Sequence, residues 1–225
     1  QNTTGAYNTA LGTDSLRDNT TGDFNVALGR AALQSNNADG NTAIGRNAMY
    51  SNTTGVRNLA IGHQAYDASD TENDNIAIGY GAMTADTAGG QKNIAIGNYS
   101  GDALSSGDNN VFLGHTAGGG TTTGDDNTFV GFAAGLTNTT ASDNTGIGFQ
   151  ALYSLAGGAS NTALGHNALF NVTTANQNIG IGMNAGGSIT TGARNIAIGN
   201  DAYDSSDTET DNIAIGFEAM TTNTA

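Results

Sequence analysis

Asn41-Thr42-Ala43-Ile44-Gly45-Arg46-Asn47-Ala48-Met49 is one copy of a unit that fills this 225-residue chain. Its core, Asn-x-[Ala/Gly/Phe]-[Ile/Leu/Val]-Gly, begins at Asn8, Asn25, Asn41, Asn58, Asn75, Asn93, Asn110, Asn127, Asn144, Asn161, Asn178, Asn195 and Asn212. Every step between these positions is 17 residues, except 16 from Asn25 to Asn41 and 18 from Asn75 to Asn93. A fixed period this short means one structural unit stacked many times.

An apolar run of three residues closed by Gly is strand-like and too short for a helix. Side chains alternate across a strand. The residue after Asn and the residue before Gly therefore share one face, as Ile76 and Ile78 or Ile94 and Ile96 do. The opposite face carries Ala10, Ala27, Ala43 and their counterparts, with Phe112, Phe129, Gly146 and Gly180 as exceptions. Both faces are apolar, so the strand is expected to be buried on both sides. The Gly supplies a tight turn that a Cβ would obstruct. The Asn is read as a rung of a stacked ladder, each amide bonding to the coil beside it. The plainer reading is that Asn tolerates a left-handed turn. Thr-Thr-Gly in the connectors, as at Thr53 to Gly55, is read as a turn.

A longer period is superimposed. Residues 58–88 match residues 195–225 at 22 of 31 positions when the two segments are laid side by side. The array grew partly by block duplication, which suits a length-setting shaft better than an active site. The chain also starts and stops inside the pattern, and residues 1–225 are read as a single repeat array from a longer fibre.

Composition narrows the function. With 34 Gly, no Pro and no Cys, the chain has neither a disulfide framework nor a thiolate metal site. A net charge of −14 argues against nucleic-acid or anionic-membrane binding, which need a basic footprint. No apolar run is long enough to insert in a membrane. Ordering the residues of one coil costs more free energy than burying its four or five small apolar side chains contributes. Association of several chains along one axis supplies the missing burial.

Asn-x-Ala-Ile-Gly-x-x-Ala resembles the head-domain repeat of trimeric autotransporter adhesins, the YadA-like heads. The Asn-Thr-Ala-[Ile/Leu]-Gly and Asn-Thr-Thr-Gly wording is also similar to repeat regions of bacteriophage tail fibres. The resemblance runs along the whole chain. It implies an all-β, left-handed parallel β-solenoid (a β-roll) of about 13 coils, homotrimeric around an apolar interior. It further implies a non-catalytic structural role at a virion or cell surface, supporting attachment to a host glycan or protein receptor. The departure is the period of 17, longer than expected for an adhesin head.

Three other readings compete. A hexapeptide-type acyltransferase needs three hexapeptides per coil and a catalytic His. Here His63, His115 and His166 follow the motif Gly, where other coils place Arg30, Arg46, Tyr80, Asn98, Phe132, Phe149 or Met183. So variable a position reads as outward-facing surface. An ice-binding solenoid needs a regular Thr array, but Thr follows the motif Asn only at Thr9, Thr42, Thr128, Thr145 and Thr162. Calcium is the one cofactor the acidic connectors suggest. Its candidate ligands are Asp67, Asp70, Glu72 and Asp74 in one connector and Asp204, Asp207, Glu209 and Asp211 in its duplicate. The plain reading of both clusters is a solvated acidic loop. Tyr80, Phe132, Phe149 and Phe217 are either carbohydrate platforms or side chains packed on the next coil.

Overall fold

The computed structural model describes residues 2–85, 89–205 and 207–221. Gln1 and the parts of the duplicated blocks at 86–88, 206 and 222–225 lie outside the described residues. The regular structure is β throughout, in strands of three residues. They are β1 (Thr9–Leu11), β2 (Val26–Leu28), β3 (Thr42–Ile44), β4 (Leu59–Ile61), β5 (Ile76–Ile78), β6 (Ile94–Ile96), β7 (Val111–Leu113), β8 (Thr128–Val130), β9 (Thr145–Ile147), β10 (Thr162–Leu164), β11 (Ile179–Ile181), β12 (Ile196–Ile198) and β13 (Ile213–Ile215). The chain divides into two compact units, residues 1–110 and 111–225. The first holds β1 to β6 and the second β7 to β13.

Within each unit consecutive strands pair in parallel. The register sets Ala27 beside Ala43 and Ala60 beside Ala77 in the first unit, and Ala163 beside Gly180 and Gly180 beside Ala197 in the second. Each unit is thus a parallel β-solenoid with one repeat per coil. Backbone bonds run from coil to coil, as from Thr42 N to the Asn58 carbonyl at 2.9 Å and from Gly62 N to the Ile44 carbonyl at 2.8 Å. The 16-residue and 18-residue coils keep the same register, Ala27 to Ala43 and Ala77 to Ala95.

Only the middle residue of each strand faces the interior of its own coil. Ala43, Ala60, Ala77, Ala95, Phe112 and Phe129 are fully buried. Their flanking neighbours are not, so one chain covers one face of the strand and leaves the other to solvent. The interior is completed by the second Ala of the unit and the residue after it, such as Leu33, Met49, Tyr66 and Leu169, all buried.

That last position adopts a left-handed backbone, with φ of 49° at Leu33, 48° at Met49 and 50° at Leu169. The residue before each motif Asn and the residue two after each motif Gly are left-handed too, as at Arg57 and Gln64. Non-glycine residues rarely adopt this conformation. Here the surrounding coils enforce it in rung after rung.

The interior is filled in more than one way. Coils with Phe in mid-strand carry Gly where others carry Leu or Met. A Cβ on Gly118 would sit 2.4 Å from the Phe112 ring, and one on Gly135 2.4 Å from the Phe129 ring. Phe plus Gly thus occupies the space of Ala plus Leu. Gly146 follows from the same ring, since a Cβ there would lie 3.1 Å from Phe129. In the coil starting at Asn178, Ile189 fills the interior beside Gly186. This exchange is testable. Phe129→Ala should cost about 3–5 kcal/mol as a cavity, and Gly135→Leu should clash. The double variant recreates the Ala163 and Leu169 pair and should exceed both single variants in urea midpoint.

Candidate functional site

The motif Asn is held at both ends by backbone groups of the next coil. Its Oδ1 accepts the backbone N–H of the Asn one coil on, at 2.8–3.1 Å, in the steps from Asn8 to Asn110 and from Asn127 to Asn212. Its Nδ2 donates to a connector carbonyl of the next coil, as Asn41 does to Gly55 at 2.7 Å and Asn161 to Ala175 at 2.8 Å. No motif Asn has a positive φ; the residue before it does. The side chain is there for its two hydrogen-bonding ends, both of which a buried coil must satisfy. A second amide, unmarked by the motif, recurs eleven residues on: Asn36, Asn52 and Asn138 are buried and donate to Ala38, Gly55 and Ala141 carbonyls. Tyr66 and Tyr203 are tied in as well. Each phenol oxygen accepts from the motif Asn of the following coil, Asn75 and Asn212.

The chain bends at Thr53 and Thr54. The N–H groups of Thr53, Thr54 and Gly55 all converge on the Asp70 carbonyl of the next coil, at 3.0, 3.0 and 3.2 Å. A Cβ on Gly55 would stand 2.3 Å from the Glu72 carbonyl oxygen. The Gly is required for close approach between coils, not for a special φ.

The outer strand face is a continuous chemical feature. Leu28, Ile44, Leu59, Ile61, Ile76, Ile78, Ile94 and Ile96 point away from the interior of the first unit, and Val111, Leu113, Val130, Ile147, Leu164, Ile179, Ile181, Ile196 and Ile198 from that of the second. These side chains are half-exposed or exposed, Leu113 at 43% and Leu164 at 47%. No charged residue interrupts the face in any strand.

Beside this face runs the position after the motif Gly. In the second unit its rings form a column: His115 on Phe132, Phe132 on Phe149 and Phe149 on His166, with centroids 5.5, 5.2 and 5.0 Å apart and planes within 12°. In the first unit His63 and Tyr80 meet at 5.3 Å, and Tyr80 meets Tyr99 edge-on at 5.2 Å. Rings between two stacked neighbours show solvent their edges and keep their faces covered. Each of the three histidines adjoins a ring of a neighbouring coil.

The acidic connectors hold their carboxylates apart. Asp67 accepts from Gln64 at 3.4 Å, and Asp70 from the Thr53 hydroxyl. Glu72, nearly inaccessible, turns back to accept the N–H groups of Asp70, Thr71 and Gly89 at 2.7, 3.0 and 3.1 Å. Asp74 pairs with Arg57 at 2.6 Å and Asp211 with Arg194 at 2.5 Å. Asp204 accepts from Ser188 at 3.4 Å, Glu209 accepts from Thr208 N at 3.3 Å, and Asp207 is exposed. Among the described residues no three His, Asp or Glu side chains are grouped to hold a metal ion.

These environments separate the carboxyls by their response to pH. Burial, the largest effect, holds Asp67 and Asp204 above the ordinary carboxylate range, against the hydrogen bonds from Gln64 and Ser188. Ionising them costs stability, and that cost is relieved as pH falls through their raised values. Asp74 and Asp211 are held below the ordinary range by the hydrogen bonds of Arg57 and Arg194. Their contribution is present above the unfolded value and lost as pH falls through the folded one; both pairs are exposed, so it is small.

Comparison with family models, curated proteins and solved structures finds no match to this chain. No helix among the described residues is long and apolar enough to cross a membrane. The functional reading therefore rests on the coil itself.

Proposed function

We propose that this chain is a segment of a homotrimeric, left-handed β-roll fibre, a non-catalytic shaft of a virion tail fibre or cell-surface adhesin that supports attachment. One observation carries the reading. Each unit leaves an uncharged stripe of Ile, Leu, Val and Thr on the outside of consecutive strands. Contiguous apolar patches of this kind mark association surfaces. The chain carries −14 overall, so copies repel except where a face is free of charge. Identical rungs let the stripe of one chain meet that of the next, rung by rung, by rotation about an axis along the stacking direction, a head-to-tail contact that closes as a ring. Two further copies of the same chain are its occupants.

Light scattering tests this. Chains of 22.5 kDa should run as particles three times that mass, and the melting temperature should rise with protein concentration. Ile181→Asp with Ile198→Asp places charges on the stripe and should reduce the mass toward one chain. A wild-type monomer with a concentration-independent melt would overturn the proposal.

A further inference from the structure

Nine residues after each motif Asn lies a second outward column, with no signature in the motif. In the second unit it includes Tyr153, Phe170, Gly187 and Asp204 on four successive coils. Tyr153 and Phe170 stack at 5.0 Å with planes 8° apart. On the next coil the column has no side chain, because the position is Gly187. The second face of Phe170 is therefore bare, unlike the faces within the Phe132 and Phe149 stack. Asp204 closes the far side of the gap one coil later. The result is a notch of about 190 Å³ lined by Asn167, Phe170, Asn171, Asn184, Gly187, Ser188 and Asp204.

The lining has a definite chemical bias. Asn171 and Asn184 spend an amide N–H within the protein, on the Gly187 carbonyl at 2.7 Å and on Asp201 at 2.8 Å. Ser188 reaches Asp204 only at 3.4 Å. Oxygen acceptors dominate what is left: the Asp204 carboxylate and the side-chain carbonyls of Asn171 and Asn184, whose amides already donate within the protein. The fitting ligand presents an apolar face to a ring and several separated hydroxyl donors around its edge. It is not an anion, given Asp204 and the charge of −14.

We propose that the Gly187 notch binds one neutral pyranose ring, its C–H face on Phe170 and its hydroxyls on Asp204, Asn171 and Asn184. A lone ammonium group satisfies the carboxylate but not the spread of acceptors on two other coils. The volume suits a single sugar ring, below the range of sites for larger ligands. The notch lies six positions beyond the last residue of its strand, away from the apolar stripe. This deepens the attachment reading by naming a receptor class, and it rests on that reading only for its biological setting.

The first unit contains a control made by the protein itself. There the same column reads Gln34, Tyr50 and Asp67, so Tyr50 stands where Gly187 would be. Gly187 has no positive φ, and an added Cβ would lie 3.0 Å from the Asn184 carbonyl oxygen, so a side chain needs a shift of a few tenths of an ångström there. Gly187→Tyr should fill the notch, and Phe170→Leu tests the site without that contact.

Saturation-transfer NMR on the intact chain, with methyl glycosides of glucose, galactose, mannose and N-acetylglucosamine as probes, tests the proposal. At least one should receive saturation on its ring protons. Gly187→Tyr and Phe170→Leu should each weaken its binding at least tenfold, with circular dichroism unchanged. Transfer to none of the four, or binding that survives Gly187→Tyr, overturns the site. Binding of methylammonium in preference to every sugar does so as well. Particle mass, measured alongside, keeps the two proposals apart. A trimer without sugar binding sinks the notch alone, and a sugar-binding monomer sinks the fibre alone.

Discussion

Gly148→Ala should be among the most damaging single-methyl changes in the second unit. Gly148 has φ of 140°, and a Cβ there would lie 2.2 Å from the Gly165 carbonyl oxygen of the next coil. Two costs combine. The backbone sits where side-chain-bearing residues are strained by about 1–3 kcal/mol. The added methyl meets backbone rather than a flexible side chain, and overpacking of that kind costs about 1–3 kcal/mol more. A total of about 2–6 kcal/mol is a large part of the stability of an ordinary domain. Gly157→Ala is the control. It is exposed, with nothing within 4 Å of its Cβ position and no positive φ, and it should be neutral or stabilising by about 0.4–1 kcal/mol. Chemical denaturation of both variants decides the matter, and equal midpoints would show that the motif Gly is dispensable.

The second large effect belongs to the Asn. Asn161→Ala removes an acceptor 3.0 Å from Asn178 N and a donor 2.8 Å from the Ala175 carbonyl, all inside a residue with no solvent exposure. Each stranded backbone group costs about 1–3 kcal/mol. The pair predicts a loss of about 2–6 kcal/mol, reported locally as well as globally. Hydrogen exchange should show the Asn178 amide losing protection before amides three coils away. Uniform loss across the unit would mean that the coils unfold only as one body.

How much of this was legible in the residues follows from where information sits in a repeat. The strands could be read because period two is imposed directly by the pleat, but not which face turns inward: both faces are apolar, and only the coil shows Ala43 and Ala77 inside with their larger neighbours outside. The two-ended Asn geometry is natural for an amide that recurs at one fixed rung position. The left-handed φ at Leu33, Met49 and Leu169 was not legible. Local propensity argues against it, and the neighbouring coils override that preference. The trade of Phe129 against Gly135 was also hidden, because six residues separate two groups that share one volume. Gly187 and Phe170 escaped for a related reason. Their column has no conserved wording, and only the stacking of coils shows that a missing side chain bares a ring.

The coils of 16 and 18 residues leave the pairing of Ala27 with Ala43 and of Ala77 with Ala95 undisturbed. Length error is absorbed in the connector, which acts as an expansion joint. Foreign peptides spliced into connectors at exposed positions such as Asp39 should be displayed at a regular pitch without throwing the spiral out of phase, whereas one residue inserted in a strand would turn its Ala outward and drive the larger neighbours into the interior.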